Sequence, residues 1–309
     1  MPTICYVDRR FSAESLAAIA KANEIIAEYE AQRFSLTLRQ LYYQFVSRDL
    51  IANRDAEYKR LGSVINDARL AGLIDWKAIE DRTRFVRQNS HWGTPAEIID
   101  SAARSFALDK WDGQPHRPEV WIEKDALLGV IEPVCRRLDV AYFSCRGYTS
   151  QSEMWEAAQR LARHIDAGQS PVILHFGDHD PSGKDMSRDI EDRLRLFLSH
   201  DLGEADFEFR RLALNMDQIE EFDPPPNPAK LTDSRCRAYI AEFGDESWEL
   251  DALEPRVIAG LIEGAVSEFR DDDLWDKKVA NEDRGRKGLE LAAEKWPRVE
   301  KFLGNGKSK

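Results

Sequence analysis

Residues 171–183 read PVILHFGDHDPSG. Six residues of strand-forming type end abruptly at Gly177, two acids follow two positions apart at Asp178 and Asp180, and Pro181 and Gly183 shape a turn. A continuous apolar run bounded by turn residues predicts a strand buried on both faces. The segment GKDMSRDIEDRLRLFLSH after it has helical apolar spacing. On either side, EVWIE (residues 119–123) and VAYFSCR (140–146) read as strands, as does FEFRRLAL (207–214). Helical patterns separate them, DALLGVIEPVCRRLD and SQSEMWEAAQRLARHIDAG, the second stopped by Gly168. Strands alternating with helices of this length predict an α/β fold with a parallel sheet covered on both faces.

In such sheets ligands collect beyond the carboxyl ends of the strands. Glu123 ends one strand, and Asp178 and Asp180 follow another. Acids two apart in an extended or turning segment point the same way. Hard divalent cations such as Mg²⁺ take oxygen ligands, often carboxylates plus water and phosphate. Glu123, Asp178 and Asp180 are therefore the candidate metal ligands. The plainer alternative is that the two aspartates cap a helix and Glu123 pairs with Lys124 or another cation. His175 and His179 flank the acids and are expected to be structural, since magnesium seldom takes imidazole.

Toward the N-terminus, residues 1–32 carry an amphipathic helix with Leu16, Ile19, Ile25 and Ile26 among its apolar positions. A second helix opens at Thr37 with Gln40 three positions on, the spacing of a capping box. A third repeats Leu61, Val64, Ile65 and Ala68 and stops at Gly72, and LIDWKAIEDRTRFV reads as a short strand pair. Three helices and a small β element are the order of a winged-helix module, here residues 33–95, whose third helix enters the major groove. Lys59, Arg60, Ser63 and Arg69 are then the candidate DNA contacts. Residues 96–117 read as a linker, 118–215 as the sheet domain and 216–309 as a mainly helical extension, with EEFDPPPNPAK as a connector. In that extension Lys230, Arg235 and Arg237 are weaker candidates for phosphate contact.

Charge supports this division. The net charge of −12 excludes a protein that simply coats nucleic acid. Residues 33–92 hold 11 Lys and Arg against 7 Asp and Glu, while residues 93–309 carry a net −14. The four cysteines form no CxxC pair, which fits a reducing cytoplasm, and nothing suggests export or a membrane span. There is no G-x-x-x-x-G-K-[ST] loop.

WIEKDALL and GDHDPSG together resemble the Toprim domain of topoisomerases, primases and certain nucleases. A winged helix placed before it resembles the A subunit of topoisomerase VI and the related meiotic double-strand-break proteins. The likeness covers roughly residues 33–215 and includes R-Q-L-Y-Y at 39–43, similar to the family's R-x-x-Y-Y. It implies a Toprim, Rossmann-like sheet and a tyrosine nucleophile that attacks the DNA backbone, with Mg²⁺ stabilising charge on the phosphate. It also implies a homodimer in which tyrosine and metal meet across chains, a separate ATPase subunit for strand passage, and action on double-stranded DNA at the nucleoid. The match puts the nucleophile at the second tyrosine. Helix geometry agrees: at 100° per residue Tyr42 joins the stripe of Leu38, Leu41, Phe45 and Val46, whereas Tyr43 falls on its flank beside Arg39. A phenol of pKa near 10 needs a neighbouring cation to attack as phenolate, a role open to Arg39. Two other functions stay open, a Toprim nuclease that uses activated water and a DNA-binding subunit without catalysis.

Overall fold

The computed structural model describes residues 3–32, 34, 36–80, 89–202, 206–229, 233 and 235–305. Two compact units share the chain: Met1–Arg84 with Pro118–Glu268, and Phe85–Arg117 with Phe269–Lys309.

The first unit opens with α1 (Ala13–Ala31), α2 (Leu38–Ser47) and α3 (Asp55–Leu70). Ser12 caps α1, and at α2 both halves of the capping box between Thr37 and Gln40 form. Ile19, Ile25, Leu41, Phe45, Leu61 and Ile65 make the shared core. Leu16, expected on the apolar face of α1, is 49% exposed, because the stripe turns past it by one helical step. The expected strand pair after α3 is absent from residues 73–80, which run through turns and touch α2's lead-in through a bridge between Leu36 and Ile79. Its remainder, 81–88, lies outside the described residues.

All four expected strands form, as β1 (His116–Ile122), β2 (Ala141–Ser144), β3 (Ser170–Phe176) and β4 (Glu208–Ala213), one sheet in the order β2-β1-β3-β4. β1 pairs with β2 and β3 with β4 in parallel. The crossovers are α5 (Leu128–Arg137), α6 (Gln151–Asp166) and α7 (Pro181–Leu202). Val120 to Ile122 and Val172 to Phe176 are buried, which is why both strands read as unbroken apolar runs. One buried charge interrupts β1: Glu119 accepts from Arg160 Nε at 2.7 Å and from Trp121 Nε1 at 3.0 Å. From β1 the chain moves to β2 on one side, then crosses to β3 and β4 on the other. The strand order thus reverses between β1 and β3, and the crevice at such a switch point is where α/β sheets bind ligands.

Residues 216–309 divide between the units, where a single extension was expected. α8 (Met216–Phe222), the two-stranded β5 (Asn227–Pro228) and β6 (Glu246–Ser247), α9 (Cys236–Phe243) and α10 (Pro255–Glu268) belong to the first unit, and α10 packs on α5. The second unit holds α4 (Pro95–Ser105), α11 (Asp272–Glu294) and α12 (Trp296–Asn305). Residues 96–117, read as a linker, therefore carry most of a helix capped by Thr94 that packs along α11. Their few large apolar residues concealed it. Buried Glu282 accepts from Leu108 N at 2.9 Å and Lys110 Nζ at 2.7 Å, anchoring the chain after α4. Among the described residues no helix is long and apolar enough to cross a membrane.

Candidate functional site: a charged rim at the sheet switch point

Glu123 and Asp178 flank the reversal between β1 and β3. Glu123 N donates to Phe176 O at 2.9 Å, continuing the ladder one residue past β1, and its Oε2 accepts from Asp178 N at 2.9 Å. Gly177 permits this approach: a Cβ there would lie 3.1 Å from Glu123 Oε2 and 3.0 Å from Arg211 Nη1. Gly183 is tighter still, since any Cβ would overlap the carbonyl oxygen of Asp178. Arg211, from β4, braces the turn by donating to Gly177 O at 3.0 Å and Asp178 O at 2.6 Å. Burial lowers its pKa to about 10 despite the acids around it.

The aspartates are used differently. Asp180 Oδ1 accepts from Gly183 N at 2.6 Å and Ser182 Oγ at 3.0 Å, so this acid does cap α7, as the plainer alternative held. Asp178 is buried, and its Oδ1 accepts from Leu250 N at 2.7 Å and meets Lys124 Nζ at 2.9 Å. Lys124 also lies 2.8 Å from Glu249 Oε2 and 2.9 Å from Asp251 Oδ1, so three carboxylates surround one ammonium. Burial alone would lower the Lys124 pKa, but Asp251, Asp178 and Glu249 raise it above the ordinary lysine value. Burial, with Glu123 and Asp251 adding to it against Lys124, pushes Asp178 up to about 7. Glu123 is likewise raised, by burial first and by Asp180 among its neighbours. Among the described residues no three His, Cys, Asp or Glu side chains close on one point as a formed metal site. The three expected ligands are brought to one edge, yet each spends an oxygen or a neighbouring amide on the protein itself.

The same rim reaches α2. Arg39 Nη2 lies 2.5 Å from Glu249 Oε2, and its Nε lies 3.0 Å from Asp251 Oδ2. It also stands 3.4 Å from the Tyr43 hydroxyl, as the four-residue helical spacing requires. Glu249 lies close enough to Tyr43 to act on its phenol electrostatically. Burial would raise Glu249, but Lys124 and Arg39 outweigh it and bring it down to about 2. The Tyr43 phenol is held above its ordinary pKa, by burial foremost and by Asp251 and Glu249, with Arg39 opposing. The expectation that only Tyr42 is a core residue needs correcting: Tyr42 and Tyr43 are 5% and 4% exposed. The segment around Leu250–Ala252 packs on α2 and covers the flank that helix geometry left open. Tyr42 accepts from Arg54 N at 2.8 Å, and both tyrosines line a cavity of about 280 Å³ with Arg39, Asn53, Arg54, Tyr58 and Glu249. A larger cavity of about 590 Å³, bordered by Arg48, Phe222, Pro225 and Arg256, contains none of these acids.

The candidate DNA contacts separate. Lys59 and Ser63 are exposed on α3. Arg60 is exposed as well but is paired with Glu57 and Glu14. Arg69 turns inward, donates to Trp76 O at 2.7 Å and Ile79 O at 3.2 Å, and lies 4.6 Å over the Trp76 ring. That is a structural role, taken because the turn after α3 presents two carbonyls to it. Arg235 is bound to Asp233 and Asp185, Arg237 is exposed, and Lys230 lies outside the described residues. His175 and His179 are buried, with pKa lowered to about 3 and about 4 by burial and nearby cations. His179 Nδ1 meets the Tyr239 hydroxyl at 2.8 Å.

Lys124, Arg211, Glu249 and Asp251 belong to the rim although no motif marks them as site residues. One signal was present, since Glu249-Leu250-Asp251 repeats the acid-x-acid spacing of Asp178-His179-Asp180. Comparison with protein-family models and with curated proteins finds no match.

Proposed function

We propose that this chain is a metal-dependent enzyme that breaks the DNA backbone in the manner of the topoisomerase VI A subunit, with Tyr43 as nucleophile. In this reading residues 33–95 act as the winged helix and residues 118–215 as the Toprim domain. One observation carries it: Tyr43, Arg39, Glu249, Lys124 and Asp178 form an unbroken chain of polar contacts from α2 to the sheet switch point within a single unit. Two clusters picked out of the sequence for different reasons are one cluster in space.

In donor type Glu123, Asp178 and Asp180 fit Mg²⁺, which would be held by the carboxylate oxygens not spent on protein donors. Raised carboxyls crowded by like charge are what a hard cation relieves. When bound, that ion supplies charge stabilisation at the phosphate and the departing oxygen. Tyr43 Oη would form a bond to phosphorus as the P–O bond to one deoxyribose breaks. Its proton is lost to the surrounding water, since Glu249, held at about 2, is too weak a base to keep it, and the departing sugar oxygen takes up a proton from water. Because burial keeps the phenol protonated, proton loss accompanies attack. Arg39 and Arg54 face the cavity and offer guanidinium groups to a phosphate. Lys59 and Ser63 on α3 would follow the duplex. Two copies, as a homodimer, would cut both strands, and strand passage would require an ATPase on another chain.

A second reading, a nuclease that uses activated water, is favoured by the burial of Tyr43 and its raised pKa. Supercoiled DNA with Mg²⁺ and the parent chain, Tyr43→Phe or Asp178→Asn separates the two. Loss of cutting in both variants supports the tyrosine mechanism. Cutting retained by Tyr43→Phe and lost in Asp178→Asn supports water, and cutting retained by both refutes the site.

A further inference from the structure

Lys124 stands one residue beyond the candidate ligand Glu123, and its ammonium is held by carboxylates from two separate segments of the chain. Asp178 Oδ1 lies 2.9 Å from Nζ, Glu249 Oε2 2.8 Å and Asp251 Oδ1 2.9 Å. Asp251 is buried, and its other oxygen lies 3.0 Å from Arg39 Nε. Several carboxylates gathered on one cation are the surroundings a hard divalent ion takes, yet here the cation is a side chain of the protein itself. Distances of 2.8–2.9 Å suit an ammonium and exceed the metal–oxygen distances of about 2.0–2.6 Å, so these acids do not close as a metal site around Lys124. Two-ion sites that act on phosphodiesters set their cations about 3.5–4 Å apart, a gap that one carboxylate spans. Asp178 is placed to span it, since it is both a candidate ligand and a partner of Lys124. Charge points the same way. Glu123, Asp178, Asp180, Glu249 and Asp251, when ionised, face Lys124, Arg39 and Arg211, and five negative charges against three positive ones leave the charge that one divalent ion neutralises. Two such ions would leave the cluster with a net positive charge.

We propose that the Lys124 ammonium permanently fills the second cation position of this rim, so that the chain takes a single divalent ion, beside Glu123, Asp178 and Asp180. The inference deepens the metal-dependent reading and rests on it for that one ion. Toward Tyr43, positive charge is then supplied by Lys124 and Arg39 and does not vary with the concentration of the ion. A purely structural ion pair makes a different prediction, because removing its lysine destabilises the chain without creating a place for a metal.

Counting bound Mn²⁺ by electron paramagnetic resonance, on the full chain stripped with chelator and then titrated with MnCl₂, tests this directly. One ion per chain is expected for the parent and two for Lys124→Ala, since the substitution removes one positive charge and frees Asp178, Glu249 and Asp251 for an ion. Lys124→Gln, neutral but still able to hydrogen-bond, should take up the extra ion too and supplies the count if Lys124→Ala does not fold. Millimolar Mn²⁺ should also raise the urea midpoint of either variant more than that of the parent, because an ion bound only by the native chain stabilises it. Adding Asp251→Asn to Lys124→Ala should return the count to that of the parent. An equal count in the parent and the folded variants, or two ions on the parent, overturns the proposal. No ion on the parent and one on each variant upholds the role of Lys124 while refuting the ion beside Glu123, so the two readings fail separately.

Discussion

α2 and α3 are neighbours in sequence and both carry arginine, yet they use it in opposite ways. On α3, Arg60 meets Glu57 and Glu14 at the surface, where an ion pair contributes about 0–1 kcal/mol. On α2, Arg39 joins Glu249 and Asp251, acids more than 200 positions away, and Asp251 has a side chain with 0% exposure. Removing one partner from a buried ionic cluster costs about 3–5 kcal/mol, because the remaining charge stays buried and unpaired. Such a cluster persists only when several elements hold it together, whereas surface pairs form wherever long side chains meet. The difference separates a rim built into the fold from a face that solvent would serve equally well.

Four substitutions or conditions test that contrast, in falling order of effect. Asp178→Asn should lower Mg²⁺-dependent DNA cutting by at least about 100-fold, measured on supercoiled plasmid, with the fold intact by circular dichroism. Lys124→Met leaves Asp178, Glu249 and Asp251 without their shared ammonium and should lower stability by about 3–5 kcal/mol in urea unfolding. A cost under about 1 kcal/mol would reduce the rim to an ordinary surface network. Acid should expose the same cluster. Glu249 is held at about 2 against an ordinary 4.5, so its contribution is present above pH 4.5 and is lost as pH falls toward 2. Urea midpoints across that window should fall for the parent chain and fall less for Glu249→Gln. Arg60→Ala should change stability by less than about 0.5 kcal/mol. Loss of a DNA phosphate contact there would lower the salt slope of binding by about 1, whereas an unchanged slope removes Arg60 from the duplex.

The sheet was legible because parallel strands covered on both faces become unbroken apolar runs, and PVILHF and EVWIE are such runs. The position of Glu123, Asp178 and Asp180 followed from where those runs stop. α2 was legible down to its capping box, since caps are local chemistry. Glu249 and Asp251 have no comparable local pattern, because their partners stand far away in sequence and the segment bearing them is a single short 3₁₀ turn. For the same reason Tyr43 read as open to solvent: periodicity shows which residues share a face, but not that a loop from residues 249–252 will cover it. Arg69 illustrates the converse, a basic residue on the expected recognition helix that two carbonyls and an indole draw inward. The helix at 95–105 carried a local start signal, Thr94 followed by Pro95 and Glu97, but too few large apolar residues to mark the face that packs on α11.

Tyr43 and the acid rim meet within one chain, whereas the likeness to topoisomerase VI A implies a site shared between two chains. Mixing Tyr43→Phe protein with Asp178→Asn protein, after co-refolding to exchange subunits, and assaying supercoiled DNA cleavage with Mg²⁺ distinguishes the two arrangements. If each chain holds its own complete site, the mixture stays inactive, because every chain lacks one half of that site. Cleavage restored to about a quarter or more of the parent level would contradict it, for then the tyrosine of one chain would be serving the acids of another.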